Sequence, residues 1–357
     1  MSNFKENEII FLLGAGASAN AGIPVSSQMD DMIKNLIVND SDWKQYEKLY
    51  YLIKSGVNYS AGLTGQSSTF NIETLLFVLE ELKQKEKHLL YPFIGSWNIR
   101  FNEVVKDNFR LIENFMKEIK KKLKEWVDLE DERKAEYFKH LAKFRQELNS
   151  PLRIFTLNYD KCIETNTNNP GFEFKLERGF EADTRKWNYK LFDPPVKDLE
   201  PDVYLYKLHG SIDWKRDPNT NIVSYSNGTA RNPDLIFGTQ NKLSYSDPYL
   251  FLFSQFRHYT LNARLIVCIG YSFSDEHING LIEQALKQDI TKKVLSVMKG
   301  TGKSETELND FIASKLNVSK DKIIIEKSEA KDFFESKLNL KYFTQIFPFD
   351  EEDNVFG

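Results

Sequence analysis

Apolar residues follow two rhythms along this chain. Residues 8–13 (EIIFLL) form an unbroken apolar run that stops at a glycine, the pattern of a strand buried on both faces. From there to residue 150 the spacing is helical. Ile72, Leu75, Leu76, Leu79 and Leu82 recur behind Asn71, a residue type suited to an N-cap. Val105, Phe109, Ile112, Phe115, Ile119 and Leu123 repeat the rhythm across residues 101–126. The basic run KEIKKKLKE there reads as the solvated face of an amphipathic helix, because acidic residues interrupt it and VDLEDE follows. Residues 55–70 are richer in Gly, Ser and Thr and read as a loop.

After residue 150 the short apolar runs return. They are LRIFTL (152–157), VYLYKL (203–208), RLIVCIG (264–270), KKVLSVM (292–298) and KIIIEK (322–327). Helical patterns separate or follow them, at 249–261 and 275–286 among others. Strands alternating with helices predict a parallel sheet covered on both faces. The predicted fold class is therefore α/β, a Rossmann-like parallel sheet with helices on both faces and a large helical insertion after the first βα unit. Residues 1–30 and 151–357 form the α/β domain, and residues 31–150 the insertion.

Composition narrows the partners more than the fold. Of 357 residues, 41% are hydrophobic and 28% charged, which suits a soluble globular protein. A net charge of -4 supplies no overall positive field to hold nucleic acid or an anionic membrane. No apolar run approaches the roughly 18–20 residues of a membrane span, and MSNFKENEII does not read as a signal peptide, so the expected location is the cytoplasm. Cys162 and Cys268 each sit in an apolar run and read as buried thiols rather than a disulfide framework.

The chemistry begins at GAGASANAG, where Gly14, Gly16 and Gly22 lie between a strand and a helix. Ala15, Ala17, Ser18 and Ala19 keep the approach narrow up to Asn20. Glycine there permits positive φ and lets the backbone come close to a pyrophosphate, and the following helix N-terminus offers N–H groups to the anion. A tight turn without a ligand would carry the same glycines. A hydride-transferring dehydrogenase would show a second strand about 20 residues later, ending in an acidic residue. Here the helical pattern continues through Asp30, Asp31 and Ile37. GTGKS at residues 300–304 lacks the first glycine of a phosphate loop, since Val297 stands in its place, and reads as a solvated loop.

In doubly wound sheets ligands bind beyond the carboxyl ends of the strands. Thr156, Asn158 and Asp160 follow one apolar run; His209, Gly210 and Ser211 a second; Gly270, Ser272 and Asp275 a third. Each has a plainer reading. Asn158 suits turn chemistry, and Asp160 or Asp275 could cap a helix.

Taken in order, GAGASANAGIP, TLNYD, LHGS, IFGTQNK and IGYSFSDEHI resemble the nucleotide-binding signature, the Thr-x-Asn-x-Asp motif, the catalytic His-Gly and the later phosphate- and ribose-contacting segments of the sirtuin superfamily. Protein-deacylating sirtuins carry a zinc ribbon with two Cys-x-x-Cys pairs, which two isolated cysteines cannot supply. VSSQM stands where deacylases have Asp-Phe-Arg, and the helical insertion is also foreign to them. These departures resemble the bacterial sirtuin-like NADases of anti-phage defence. The resemblance implies an NAD+ glycohydrolase with NAD+ as substrate, no metal, and nicotinamide and ADP-ribose as products. It implies Asn158, His209 and Asp160 as catalytic residues, and Gly14, Ala15, Gly16, Ala17, Ser18, Gly22, Thr156, Gly238, Gly270 and Ser272 as NAD-binding ones. It further implies a homo-oligomer working with a partner such as a HerA-type ATPase or a separate sensor. A module that senses NAD or ADP-ribose without chemistry is the alternative, and an NAD-dependent protein deacylase a more distant one. The insertion and the C-terminal segment KYFTQIFPFDEEDNVFG are candidate contact surfaces, although a folded core element reads equally well for either.

Overall fold

The computed structural model describes residues 4–63, 70–83, 99–105, 110–196, 199–236, 246–300 and 302–347. The chain divides into two compact units, residues 1–23 with 128–235 and 243–357, and residues 24–127 with 236–242. Residues 128–150, grouped on sequence with the helical insertion, belong to the first unit.

The first unit is built on a parallel sheet. Its strands are β1 (Ile9–Leu13), β2 (Leu152–Thr156), β3 (Leu176–Glu177), β4 (Val203–Lys207), β7 (Leu265–Ile269), β8 (Lys293–Met298) and β9 (Ile323–Lys327). Their order is β3-β4-β2-β1-β7-β8-β9, and every neighbouring pair is parallel. A separate antiparallel hairpin joins β5 (Trp214–Arg216) to β6 (Val223–Tyr225). Every residue of β1, β2, β4 and β7 is buried, which is why these strands read as unbroken apolar runs rather than alternating ones. Helices cover both faces. On one, Phe11 of β1 meets Phe144 and Phe343 edge-on, at 5.7 and 6.5 Å between ring centroids. On the other, Phe155 of β2 stacks on Tyr206 at 4.4 Å and meets Phe256 at 5.0 Å. Burying a phenylalanine fully contributes roughly 1.5–3 kcal/mol, so this aromatic core is a principal source of stability.

Phe343 lies in the helix Leu340–Ile346, and both it and Phe347 are buried. Of the two readings of these aromatics, contact surface and folded core element, the second holds for Phe343 and Phe347. Phe343 covers β1 through Phe11, and Phe347 packs on Phe4 at 6.1 Å between ring centroids. Residues 348–357 lie outside the described residues. Cys162 and Cys268 are buried free thiols, and burial pushes both well up from the usual thiol range.

The second unit contains the helices α1 (Ser26–Asn39), α2 (Glu47–Leu63), α3 (Ile72–Lys83), α4 (Ile99–Val105) and α5 (Arg110–Val127). Asn71 caps α3 by accepting from Thr74 N at 3.0 Å. In α5 the buried positions are Ile112, Phe115, Met116, Ile119, Leu123 and Val127; Lys117 and Lys121 are exposed, whereas Lys120, Lys122 and Lys124 are half-buried. Phe115 stacks on Tyr46 at 4.6 Å. Asp30 is buried and answered by Lys54 at 2.8 Å and the Tyr50 hydroxyl at 2.9 Å. Residues 55–63, expected to be a loop, are the second half of α2. Their Gly and Ser lower helix propensity by only about 1 kcal/mol or less per residue, which a helix already nucleated and packed through Leu49, Tyr50 and Ile53 can absorb. Among the described residues no helix is long and apolar enough to cross a membrane.

Candidate active site

The chain leaves β1 for β2 on one side of the sheet and reaches β7 on the other, so β1 marks the point where strand order reverses. Such switch points open a crevice at the carboxyl ends of the strands. Four consecutive strands, β4, β2, β1 and β7, deliver the sequence-predicted residues to that rim.

From β1 the chain enters a tight 3-10 segment, Ala15–Ala21, ended by Gly22 in the left-handed region at φ 90°. The expected α-helix does not follow at once; α1 begins only at Ser26. Two N–H groups expected to face an anion are used internally. Gly16 N donates to Gly270 O at 3.0 Å, and Ala17 N to Gly14 O at 2.9 Å. Gly14 N donates to Ile269 O at 3.0 Å, fastening the two turns together. A Cβ on Gly14 would lie 2.6 Å from Gly270 O, and one on Gly16 2.7 Å from Gly270 Cα. These glycines are therefore demanded by backbone packing, whatever the rim binds. Gly22 is not, since its Cβ would meet only the Lys134 side chain at 3.8 Å.

Asn158, just past β2, holds the same turn. Its Nδ2 donates to Gly14 O at 3.0 Å and to Ser18 Oγ at 3.1 Å, and its backbone N–H donates to Thr156 Oγ1 at 3.1 Å. Both amide hydrogens are thus engaged, which leaves Oδ1 as the group this side chain offers a ligand. Ser18 and Thr156 are buried, Ala15 and Gly16 partly so, and Ser272 is exposed with its hydroxyl 2.8 Å from that of Ser274. Asp160 is buried, and its Oδ1 accepts from Cys162 N at 3.0 Å, closing a local turn where the sequence allows a helix cap. Gly238 lies outside the described residues.

His209 follows β4 and is 2% exposed. Its Nε2 lies 3.4 Å from Oδ2 of Asp275, which follows β7. The other oxygen of Asp275 caps the helix α8 (Glu276–Gln288), accepting from His277 N at 3.2 Å and Ile278 N at 3.4 Å. The helix-cap reading of Asp275 holds, and the same carboxylate faces His209 with its other oxygen. Gly210, at φ 87°, seats the histidine turn; a Cβ there would lie 2.2 Å from Asp234 O.

A buried charge cluster adjoins this stretch and was not foreseen. Lys207 Nζ bonds to the Asp160 carbonyl and lies 3.2 Å from Glu164; Arg178 bridges Glu164 at 3.2 Å and Asp213 at 3.0 Å. Burial opposes ionisation of Asp213, but the charges of Arg178 and Lys207 outweigh it and hold the carboxyl below its usual range. Tyr137 was also unforeseen: its buried hydroxyl donates to Ala17 O at 2.6 Å, clamping the glycine segment. Tyr137→Phe should leave that buried carbonyl short of a donor and cost about 1–3 kcal/mol. Denaturant unfolding would measure this, and a loss below about 0.5 kcal/mol would refute the clamp.

At GTGKS, Ser304 caps the helix Glu305–Leu316 in a reciprocal box with Glu307, a structural role in keeping with the loop reading. Among the described residues no group of three or more His, Cys, Asp or Glu is placed to hold a metal ion.

Fold and rim together define a Rossmann-like α/β protein with its polar groups gathered at the switch point. A family model described as a SIR2-like domain matches residues 152–318, the stretch that supplies Asn158, His209 and Asp275. No curated protein matches the chain. Among solved structures, a mutant Sir2 homologue in complex with 2'-O-acetyl ADP ribose is 11% identical, covering 96% of this chain and 94% of that one at a TM-score of 0.44. A Sir2 homolog–NAD complex is 11% identical, covering 95% and 90% at 0.44. A Sir2–p53 peptide–NAD+ structure is 10% identical, covering 92% and 90% at 0.41.

Proposed function

We propose that this chain is an NAD+ glycohydrolase, releasing nicotinamide and ADP-ribose, and that it depletes NAD+ as the effector of an anti-phage defence system. The observation that carries the reading is the convergence of Asn158, His209 and the paired glycine turns on one switch-point rim, within and beside a SIR2-like segment.

Breaking the glycosidic bond sends its electron pair into the cationic nicotinamide ring and leaves positive charge on the ribose. Acceptor groups aimed at that charge contribute most to the rate. Asn158 Oδ1 is one, because its Nδ2 is held by Gly14 and Ser18. His209 takes a proton from the attacking water or a ribose hydroxyl, a role suited to the near-neutral titration of imidazole. Asp160 orders the turn that carries Asn158 towards His209. The segment from Gly14 to Ser18, with Gly22, Thr156, Gly270 and Ser272, lies on the pyrophosphate side. An enzyme that consumes its host's NAD+ must be held off until needed, so we place its control in assembly with further copies or a partner protein.

The test is nicotinamide release from NAD+ by the purified chain, alone and with its partner protein. Release supports the reading. NAD+ binding with no release under either condition would overturn it and leave the rim as a sensing site.

A further inference from the structure

Two buried polar residues from distant parts of the sequence meet over this rim. His209 follows β4 and Asp275 follows β7, and β2 and β1 lie between those strands. Three inter-strand spacings separate the strand axes, roughly 14 Å. The side chains nevertheless approach to 3.4 Å, so both turns arch across the ends of the central strands. The fold does not produce this contact by ordinary neighbour packing.

The Asp275 turn is rigid. The single hydroxyl hydrogen of Tyr271 is shared between Asn279 Oδ1 at 2.8 Å and the Asp275 carbonyl at 3.2 Å, and Asn279 Nδ2 donates to Phe273 O at 2.9 Å. Phe273 is fully buried at φ 55°, a conformation that costs about 1–3 kcal/mol for a residue of this kind and persists only where its surroundings impose it. A cap alone calls for none of this. Capping carboxylates usually sit in water, whereas Asp275 is 4% exposed and divides its oxygens between a helix N-terminus and an imidazole. Burying a carboxylate is costly unless its charge is answered.

We infer that Asp275 is the positioning residue of the site: its Oδ2, 3.4 Å from Nε2 and short of a formed hydrogen bond in this structure, orients the His209 ring and favours the Nε2–H tautomer by its charge, so that Nδ1 takes up the proton. This rests on the glycohydrolase reading for the reaction that His209 serves, but the pairing can be tested without it. Because helix α8 fixes the other oxygen, the tautomer of His209 is tied to the cap of that helix. A carboxylate that holds a catalytic histidine in one tautomer contributes orders of magnitude to turnover without touching substrate.

Asp275→Asn separates the two roles. Asparagine caps a helix about as well as aspartate but brings no charge to the imidazole. The variant should melt within a few degrees of the parent chain, keep its NAD+ affinity and KM within about threefold, and lose on the order of 10²-fold or more in kcat. Asp275→Ser, another good cap, should behave alike. A fully active Asp275→Asn chain would overturn the inference. If the parent chain releases no nicotinamide, the function reading fails by itself and the pairing is read by NMR. Ring-¹⁵N histidine spectra, assigned with His209→Gln, should show His209 as the Nε2–H tautomer. In Asp275→Asn that preference should be lost and titration should move down by roughly one pH unit. Among the described residues, the charged and titratable groups around the ring include Asp275, Tyr159 at 6.4 Å between centroids, and Lys207 on its own strand, which Glu164 answers. An unchanged tautomer and titration would overturn the inference regardless of activity.

Discussion

His209→Ala is expected to lower nicotinamide release by two orders of magnitude or more, with the loss almost entirely in kcat. Removing one proton-transfer group costs typically 10²–10⁴-fold. The side chain is 2% exposed and pairs with Asp275 across the rim, so the loss should fall on the chemical step more than on substrate affinity. The variant leaves the Asp275 carboxylate without its imidazole, and the destabilisation should be about 1–3 kcal/mol. Turnover must therefore be normalised to folded protein. Asn158→Ala should lose as much activity in a different way. Its Nδ2 ties Gly14 O to Ser18 Oγ, so its removal loosens the glycine segment and should raise KM as well as lower kcat. A folded His209→Ala chain with full turnover would sink the assignment. Equal kcat and KM patterns in the two variants would show that the division of roles between them is wrong.

What the sequence disclosed depended on how far each feature rests on local pattern. The six longer strands of the sheet were visible as short apolar runs. Unbroken cover of both faces gives the four central ones, and partial cover still leaves enough apolar residues in β8 and β9. β3, with two half-buried residues, and the β5–β6 hairpin, with three residues per strand, carry no such run and went unseen. The helix through residues 55–63 was missed because tertiary packing upstream overrode local propensity. Phe343 and Phe347 looked exposed beside DEED but are core, since burial is decided by partners far away in sequence, Phe11 for the first and Phe4 for the second. The rim was legible as separate polar groups at strand ends. Their connections were not: no spacing announces that Asp275 reaches His209, that Tyr137 holds Ala17, or that Arg178 and Lys207 share Glu164.

Gly270→Ala is expected to be among the most damaging single-methyl changes at the described glycines, costing on the order of 3–5 kcal/mol or preventing folding. Its φ of +62° alone costs an L-residue roughly 1–2 kcal/mol. The larger part is steric. The added Cβ would lie 2.2 Å from Ala17 N, 2.3 Å from Gly16 C and 2.5 Å from Gly16 Cα. All three are backbone atoms, unable to swing aside as a side-chain tip does. They are also held in place, because Gly16 N donates to Gly270 O while Gly14 N donates to Ile269 O, at the centre of the sheet. Gly22→Ala is the control. Gly22 also has positive φ, at +90°, but its Cβ would approach nothing closer than the Lys134 side chain at 3.8 Å. It should therefore lose only the conformational part, about 1–2 kcal/mol. Denaturant unfolding of the two variants separates the explanations. A Gly270→Ala chain several kcal/mol less stable than Gly22→Ala would mean that the glycines of the turn are required by the β1–β7 contact. The glycine motif would then be a statement about the fold first, with the case for NAD+ resting on Asn158, His209 and their neighbours. Equal, small losses would mean that the backbone there can yield, and that close approach to a ligand is the better reason for glycine at residues 14, 16 and 270.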